Sequence, residues 1–127
     1  MEVRLAYGIE GIVLHLDDKL NIDIINPHYS SPLKSPTENL RESLQTPYNL
    51  DPLSEWISPN ESVGVVFSDI TRPVPLKFIL PIILDEISHI KTENITLFNS
   101  LGTHRPNTDK ELREMLGSEI LEKFCHY

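Results

Sequence analysis

Two short apolar runs constrain this chain more than anything else in it. Val63-Gly64-Val65-Val66-Phe67 and Ile95-Thr96-Leu97-Phe98 are the strongest strand signals, and each leads through a polar stretch into a helical pattern. The first is a continuous apolar run, as expected of a strand buried on both faces. After it, Pro73 and Pro75 suit a loop and a helix start, with the helix reaching about Ile90 and Pro81 lying inside it. Proline costs ~3 kcal/mol in a regular helix interior, so either the helix bends at Pro81 or it starts later. After the second run, Thr108-Asp109-Lys110-Glu111 spells a capping box. Leu112, Met115 and Leu116 then share one face, which reads as core, and Gly117 stops the helix. A last short helix is expected over 118–124. Strand, helix, strand, helix is a βαβα unit, whose strands should be parallel and whose crossover should be right-handed.

The stretches before this unit are less regular. Residues 3–6 and 12–16 read as strands joined around Gly8 and Gly11, and 20–25 alternates Leu20, Ile22 and Ile24 with Asn21 and Asp23, so a third strand completes an N-terminal β-meander. Residues 26–36 are rich in Pro and Ser and form a loop. Ser35-Pro36-Thr37-Glu38 then opens a helix to about Gln45, with Ser35 as cap, Pro36 at the first position and Glu38 closing a capping box. A short helical turn is expected around 52–57, with Trp56 as a packing residue. The chain divides into a meander over 1–25, a loop and helix connection over 26–62, and the βαβα core over 63–127.

A length of 127 residues suits one domain. The formal charge of −8 opposes non-specific binding to nucleic acid or to an anionic membrane surface, so an anionic ligand would need a local cationic pocket. The longest apolar stretch, 78–84, is far too short to span a bilayer. One cysteine, Cys125, permits no intrachain disulfide, and no apolar leader pattern follows Met1, so a cytoplasmic location is expected. Cys125 itself reads as a small buried hydrophobe. The sequence holds no GxGxxG, P-loop, CxxC or HExxH pattern. His15, His28, His89 and His126 are scattered, and no metal site is expected from their spacing.

In open α/β sheets, ligands bind at the carboxyl ends of the strands. Ser68-Asp69-Ile70-Thr71-Arg72-Pro73 and Gly102-Thr103-His104-Arg105-Pro106 both fall there. Arg72 offers a planar fork for a carboxylate; as a bland alternative it is a surface arginine or pairs with Asp69. Asp69 orients Arg72, accepts from a hydroxyl, or caps the following helix. Thr71 and nearby amides suit an anionic oxygen, although the prolines remove some donors. His104 can act as general base and general acid in turn, or is a turn histidine bonded to backbone. Arg105 supports the site or faces solvent.

At these residues the sequence resembles the N-terminal region of the nickel-pincer lactate racemase family. The resemblance is carried by Ser68-Asp69-Ile70-Thr71-Arg72-Pro73, Glu93-Asn94-Ile95-Thr96, and Leu101-Gly102-Thr103-His104-Arg105-Pro106 with the acidic Leu-rich helix after it; Tyr7-Gly8 also fits. The resemblance implies an isomerase that interconverts the enantiomers of lactate or a related 2-hydroxy acid. It implies a nickel-pincer nucleotide (a pyridinium-dithiocarboxylate mononucleotide bearing nickel, tethered to a lysine) that exchanges hydride with the substrate carbon while a histidine handles the hydroxyl proton. It implies that His104 is one of two catalytic histidines, that Arg72 engages the substrate, and that Asp69, Ile70, Thr71 and Arg72 line the cofactor. The fold it implies is α/β with a mainly parallel, Rossmann-like sheet, part of a larger two-domain enzyme.

In that family the second catalytic histidine, the tethering lysine, the nickel-binding histidine and the C-terminal domain lie downstream of these motifs. His126 comes too early to be the missing histidine. The chain is therefore expected to be an N-terminal piece whose partner is the C-terminal part of the same protein. Alone, it is expected to be inactive and to hold no cofactor firmly, and self-association through apolar surface is left open. The competing readings are a non-catalytic α/β module that binds a nucleotide or carboxylate, and a structural remnant.

Overall fold

The computed structural model describes the backbone of residues 1–126 and the side chains of residues 1–124; the expectation for Cys125 lies outside the described residues. The chain forms two units, Met1–Pro32 and Leu33–Tyr127.

The first unit is an antiparallel hairpin of β1 (Glu2–Leu5) and β2 (Ile12–His15), with Glu2 opposite His15 and Leu5 opposite Ile12. Its turn depends on Gly11, which adopts φ +77°; a Cβ there would lie 2.9 Å from the Leu5 carbonyl oxygen. The Met1 ammonium closes the open end onto Asp18 at 2.5 Å. The expected third strand is absent: residues 20–25 join no ladder, and Leu20, Ile24 and Ile25 are exposed. Alternation gives a strand only where a partner edge and a face to bury both exist.

The second unit carries α1 (Pro36–Gln45), α2 (Leu53–Trp56), β3 (Val63–Ser68), α3 (Leu76–Glu86), β4 (Ile95–Ser100), α4 (Asp109–Leu116), α5 (Ser118–Lys123) and β5 (Cys125–His126), with a 3-10 turn at Thr92–Asn94. Its sheet runs β3-β4-β5 and is parallel throughout, with Val63 opposite Ile95 and Ser68 opposite Ser100. α3 begins at Leu76, later than the prolines suggest, and still contains Pro81. The capping box at α4 forms as expected: Thr108 accepts from the Glu111 amide and Glu111 from the Thr108 amide. At α1 the Ser35 side chain makes no capping bond. α1 is instead held to α3 by Arg41, 2.7 Å from Asp85 and 3.2 Å from Glu86, and by Gln45, which donates to Glu86.

The core joins Phe67, Ile95 and Leu97 of the sheet to Leu76, Leu80 and Leu84 of α3 and to Leu116, Ile120 and Phe124 beyond. Leu112 and Met115 pack against it, as their shared face predicts. Two expectations are corrected. β3 is covered on one face only: Phe67 is buried, whereas Gly64 and Val66 on the other face are exposed, Val66 to 67%. There the Phe98 ring lies beside Gly64, 3.1 Å from where a Cβ would stand. A run apolar on both sides records a strand able to be covered twice, not that both covers are present. Trp56 is also 68% exposed rather than packed.

Candidate active site

β3 and β4 end in register at Ser68 and Ser100, so the loops that follow them start side by side. Each loop tightens at once. After β3 the Arg72 amide donates to the Asp69 carbonyl at 3.2 Å. Asp69 Oδ1 accepts from the Thr71 amide at 3.2 Å and from the Thr71 hydroxyl at 2.7 Å, a local turn of the kind aspartate favours. After β4 the His104 amide donates to the Leu101 carbonyl at 3.0 Å. That turn needs Gly102 at φ +60°, a conformation costly for residues with a Cβ.

The two turns bring the imidazole of His104 onto Asp69, with Nδ1 hydrogen-bonded to Oδ2. Asp69 is the one buried charged residue among those described, 4% exposed. Its carboxyl is held below its ordinary range by the Thr71 hydroxyl first and His104 next, against the opposing effect of burial. It therefore stays an anion, paired and hydrogen-bonded as a buried charge must be.

An open cleft of about 520 Å³ lies at these strand ends, and Asp69, Arg72 and His104 all line it, with Ser68, Ser100 and Thr103. Three of the residues singled out in the sequence thus meet in one place. Arg72 is exposed, and among the described residues its guanidinium has no hydrogen-bond or ion-pair partner. The alternative in which it pairs with Asp69 does not occur. Nor does Asp69 cap α3, whose N-terminal flank is Pro75 without a side-chain cap. Thr71 commits both of its donors to Asp69, which leaves Arg72 as the group free to meet an anion. Ile70 lines a neighbouring hollow with Arg72 and Lys77 rather than the cleft.

Arg105 is elsewhere. It grips Glu111 with two bonds, 2.9 and 2.7 Å, and holds that carboxyl down at about 2, with the Thr108 amide assisting. His15 pairs with Glu2 and His89 bonds the Ile57 carbonyl. Among the described residues no three His, Cys, Asp or Glu side chains gather as a metal site would require, and no helix is long and apolar enough to cross a membrane.

Sequence reasoning missed the Ser68 hydroxyl, which is buried beside the cleft without a hydrogen-bond partner, and the pairing of Asp69 with His104. The available signal for the pairing was positional: an acidic residue directly after one parallel strand and a histidine in the turn after its neighbour.

Residues 7–127 match the family model described as the lactate racemase N-terminal domain. The lactate racemase of Thermoanaerobacterium thermosaccharolyticum is 26% identical over 123 residues, covering 94% of this chain and 29% of that protein. The lactate racemase of Lactiplantibacillus plantarum is 33% identical over 88 residues, 68% of this chain and 21% of that protein. The solved lactate racemase apoprotein from T. thermosaccharolyticum shares the fold over 99% of this chain at a TM-score of 0.78 and 24% identity, again over 29% of its own length. The chain thus spans less than a third of the relatives it matches.

Proposed function

The chain belongs to the lactate racemase N-terminal domain family, and from that premise we propose that it supplies one wall of the active site of a lactate-type 2-hydroxy-acid racemase. The observation that carries this reading is the convergence of Asp69, Arg72 and His104 on one cleft at the ends of two parallel strands.

A 2-hydroxy acid offers a carboxylate and, on the next carbon, the hydroxyl. Arg72 suits the carboxylate, because a guanidinium fork makes two parallel hydrogen bonds to it and fixes its orientation as well as its charge. His104 suits the hydroxyl, because an imidazole takes a proton and returns it near neutral pH. Asp69 orients the imidazole as the proton arrives, since its carboxylate is hydrogen-bonded to Nδ1.

The donor set also fits the phosphate-bearing nucleotide that the family resemblance implies. Arg72, Ser100 and Thr103 line one cleft, with Ser68 at its margin, and a guanidinium among hydroxyl-bearing residues is the chemistry an anionic, hydroxyl-rich ligand requires. Of the segment the resemblance assigns to the cofactor, Arg72 would contact it in this cleft and Asp69 would line it, while Thr71 holds Asp69 in place and Ile70 borders the adjoining hollow. When bound, a nickel-pincer nucleotide supplies the hydride acceptor and donor. This chain's own residues bind, orient and move the proton.

The family resemblance implies a second catalytic histidine, a tethering lysine and a nickel-binding histidine beyond these motifs, and one imidazole reaches this cleft among the described residues. The 127-residue chain alone should therefore neither racemise lactate nor hold nickel firmly. The deciding assay is racemisation of several 2-hydroxy acids by the full-length, cofactor-loaded protein. Arg72→Ala and His104→Ala should each lose most activity. Near-wild-type rates in both would remove these residues from the mechanism, and turnover by the isolated chain would refute the claim that it is inactive.

A further inference from the structure

We infer that Asp69 is a positioning residue that locks His104 in the tautomer carrying its proton on Nδ1 and so leaves Nε2 as the proton-accepting nitrogen of the cleft, with Thr71 fixing which end of the Asp69 side chain faces the ring. The two carboxylate oxygens of Asp69 face different partners. Oδ1 takes two donors, the amide and the hydroxyl of Thr71. Oδ2 faces Nδ1 of His104. An ionised carboxylate accepts only, and a neutral imidazole has one N–H. The proton between Oδ2 and Nδ1 therefore belongs to the ring. Nε2 keeps its lone pair, and it makes no hydrogen bond among the described residues. The orientation is anchored at both ends: the His104 amide is tied to Leu101, and Asp69 is buried and cannot turn without breaking both Thr71 bonds.

The same geometry predicts what an isosteric change does. In Asp69→Asn only one terminal atom is an acceptor. Thr71 presents two donors, so the amide oxygen stays on Thr71 and the amide nitrogen is left facing Nδ1. Nδ1 must then accept, and the ring proton moves to Nε2. The variant keeps the size and shape of the site and exchanges the acceptor facing the cleft for a donor. The tautomer is a property of this chain; only its use in racemisation rests on the proposed function.

The test is long-range 1H–15N correlation spectroscopy of the 15N-labelled 127-residue chain at alkaline pH, with the His104 signals identified by their loss in His104→Gln. The wild type should show the Nδ1–H pattern for His104. Asp69→Asn should show the Nε2–H pattern with the dispersion of the amide spectrum retained, and Thr71→Val should keep the wild-type pattern because the carboxylate still accepts. An Nε2–H wild type overturns the inference, even if Asp69→Asn fails to fold. An unchanged tautomer in folded Asp69→Asn overturns it as well. In the full-length, cofactor-loaded protein Asp69→Asn should lower kcat about 10²- to 10⁴-fold, as wrong-tautomer variants of histidine bases do, with a much smaller change in KM. If His104→Ala racemises normally while the tautomer is as expected, the proposed function fails and the tautomer assignment stands.

Discussion

Asp69 and Glu111 are two carboxylates with the same immediate surroundings and opposite uses. Each accepts from a threonine close by in sequence, and each is paired with a cationic or potentially cationic side chain from another turn. Around Glu111 the network closes on itself. Arg105 occupies both oxygens, the Thr108 amide adds a bond, and the result is a capped and clamped start to α4. Around Asp69 it stays open. The Arg72 guanidinium and Nε2 of His104 border a cleft with no partner among the described residues, and the Ser68 hydroxyl beside them is buried without one. A polar network that satisfies every member stabilises structure. One that holds a buried anion in place while leaving strong donors and an acceptor unmet keeps those groups available to a ligand.

The contrast can be broken most directly at His104. In the full-length, loaded protein His104→Gln, whose side-chain amide can still donate to Asp69, should lower kcat about 10²- to 10⁴-fold, the usual contribution of a general base, with little change in thermal unfolding. A variant that lost both equally would make the Asp69 network structural. Arg72→Lys should come next, at about 10²-fold in kcat/KM, because an ammonium keeps the charge but loses the bidentate fork; equal activity would show that charge alone suffices. On the other side, Thr108→Ala should leave racemisation unchanged and cost about 1 kcal/mol of stability, the usual value of an N-cap, read as a drop of a few degrees in melting temperature. The smallest effect should be in acid. Glu111 titrates at about 2 in the folded chain against an ordinary 4.5, so its pair contributes stability that is fully present above about 4.5. That contribution is lost as pH falls towards about 2. Glu111→Gln should flatten the acid limb of the stability curve in that window. An identical limb in both proteins would show that the Arg105 clamp contributes nothing there.

Much of this could be read in the chain because the deciding chemistry is local. The capping box at Thr108 and the strand, helix, strand, helix order are written within a few residues each, and both are found where expected. The placement of Asp69, Arg72 and His104 at strand ends followed from that order. Which of them would pair did not follow, because Asp69 meets His104 only through the register that sets Ser68 beside Ser100. No local pattern encodes that register. The role of Arg105 was left open for the same reason, since its partner is six positions away in a helix already explained by its cap. The failures at β3 and Trp56 share another cause: hydrophobicity states what a residue can bury, and the covering layer is a property of whatever packs there. β5 escaped because two residues carry no periodicity.

The parallel register of β3 and β4 has one more consequence, and it concerns time. Parallel neighbours cannot be joined by a tight turn, so the intervening α3 crossover must be gathered in before the first rung of the ladder can form. Asp69 and His104, 35 residues apart along the chain, therefore meet only once that long closure is complete. Local structure such as the α4 cap can form and dissolve early without creating any part of the site. The Asp69–His104 pair depends on that closure, and a chain caught midway has both residues but not the cleft they border.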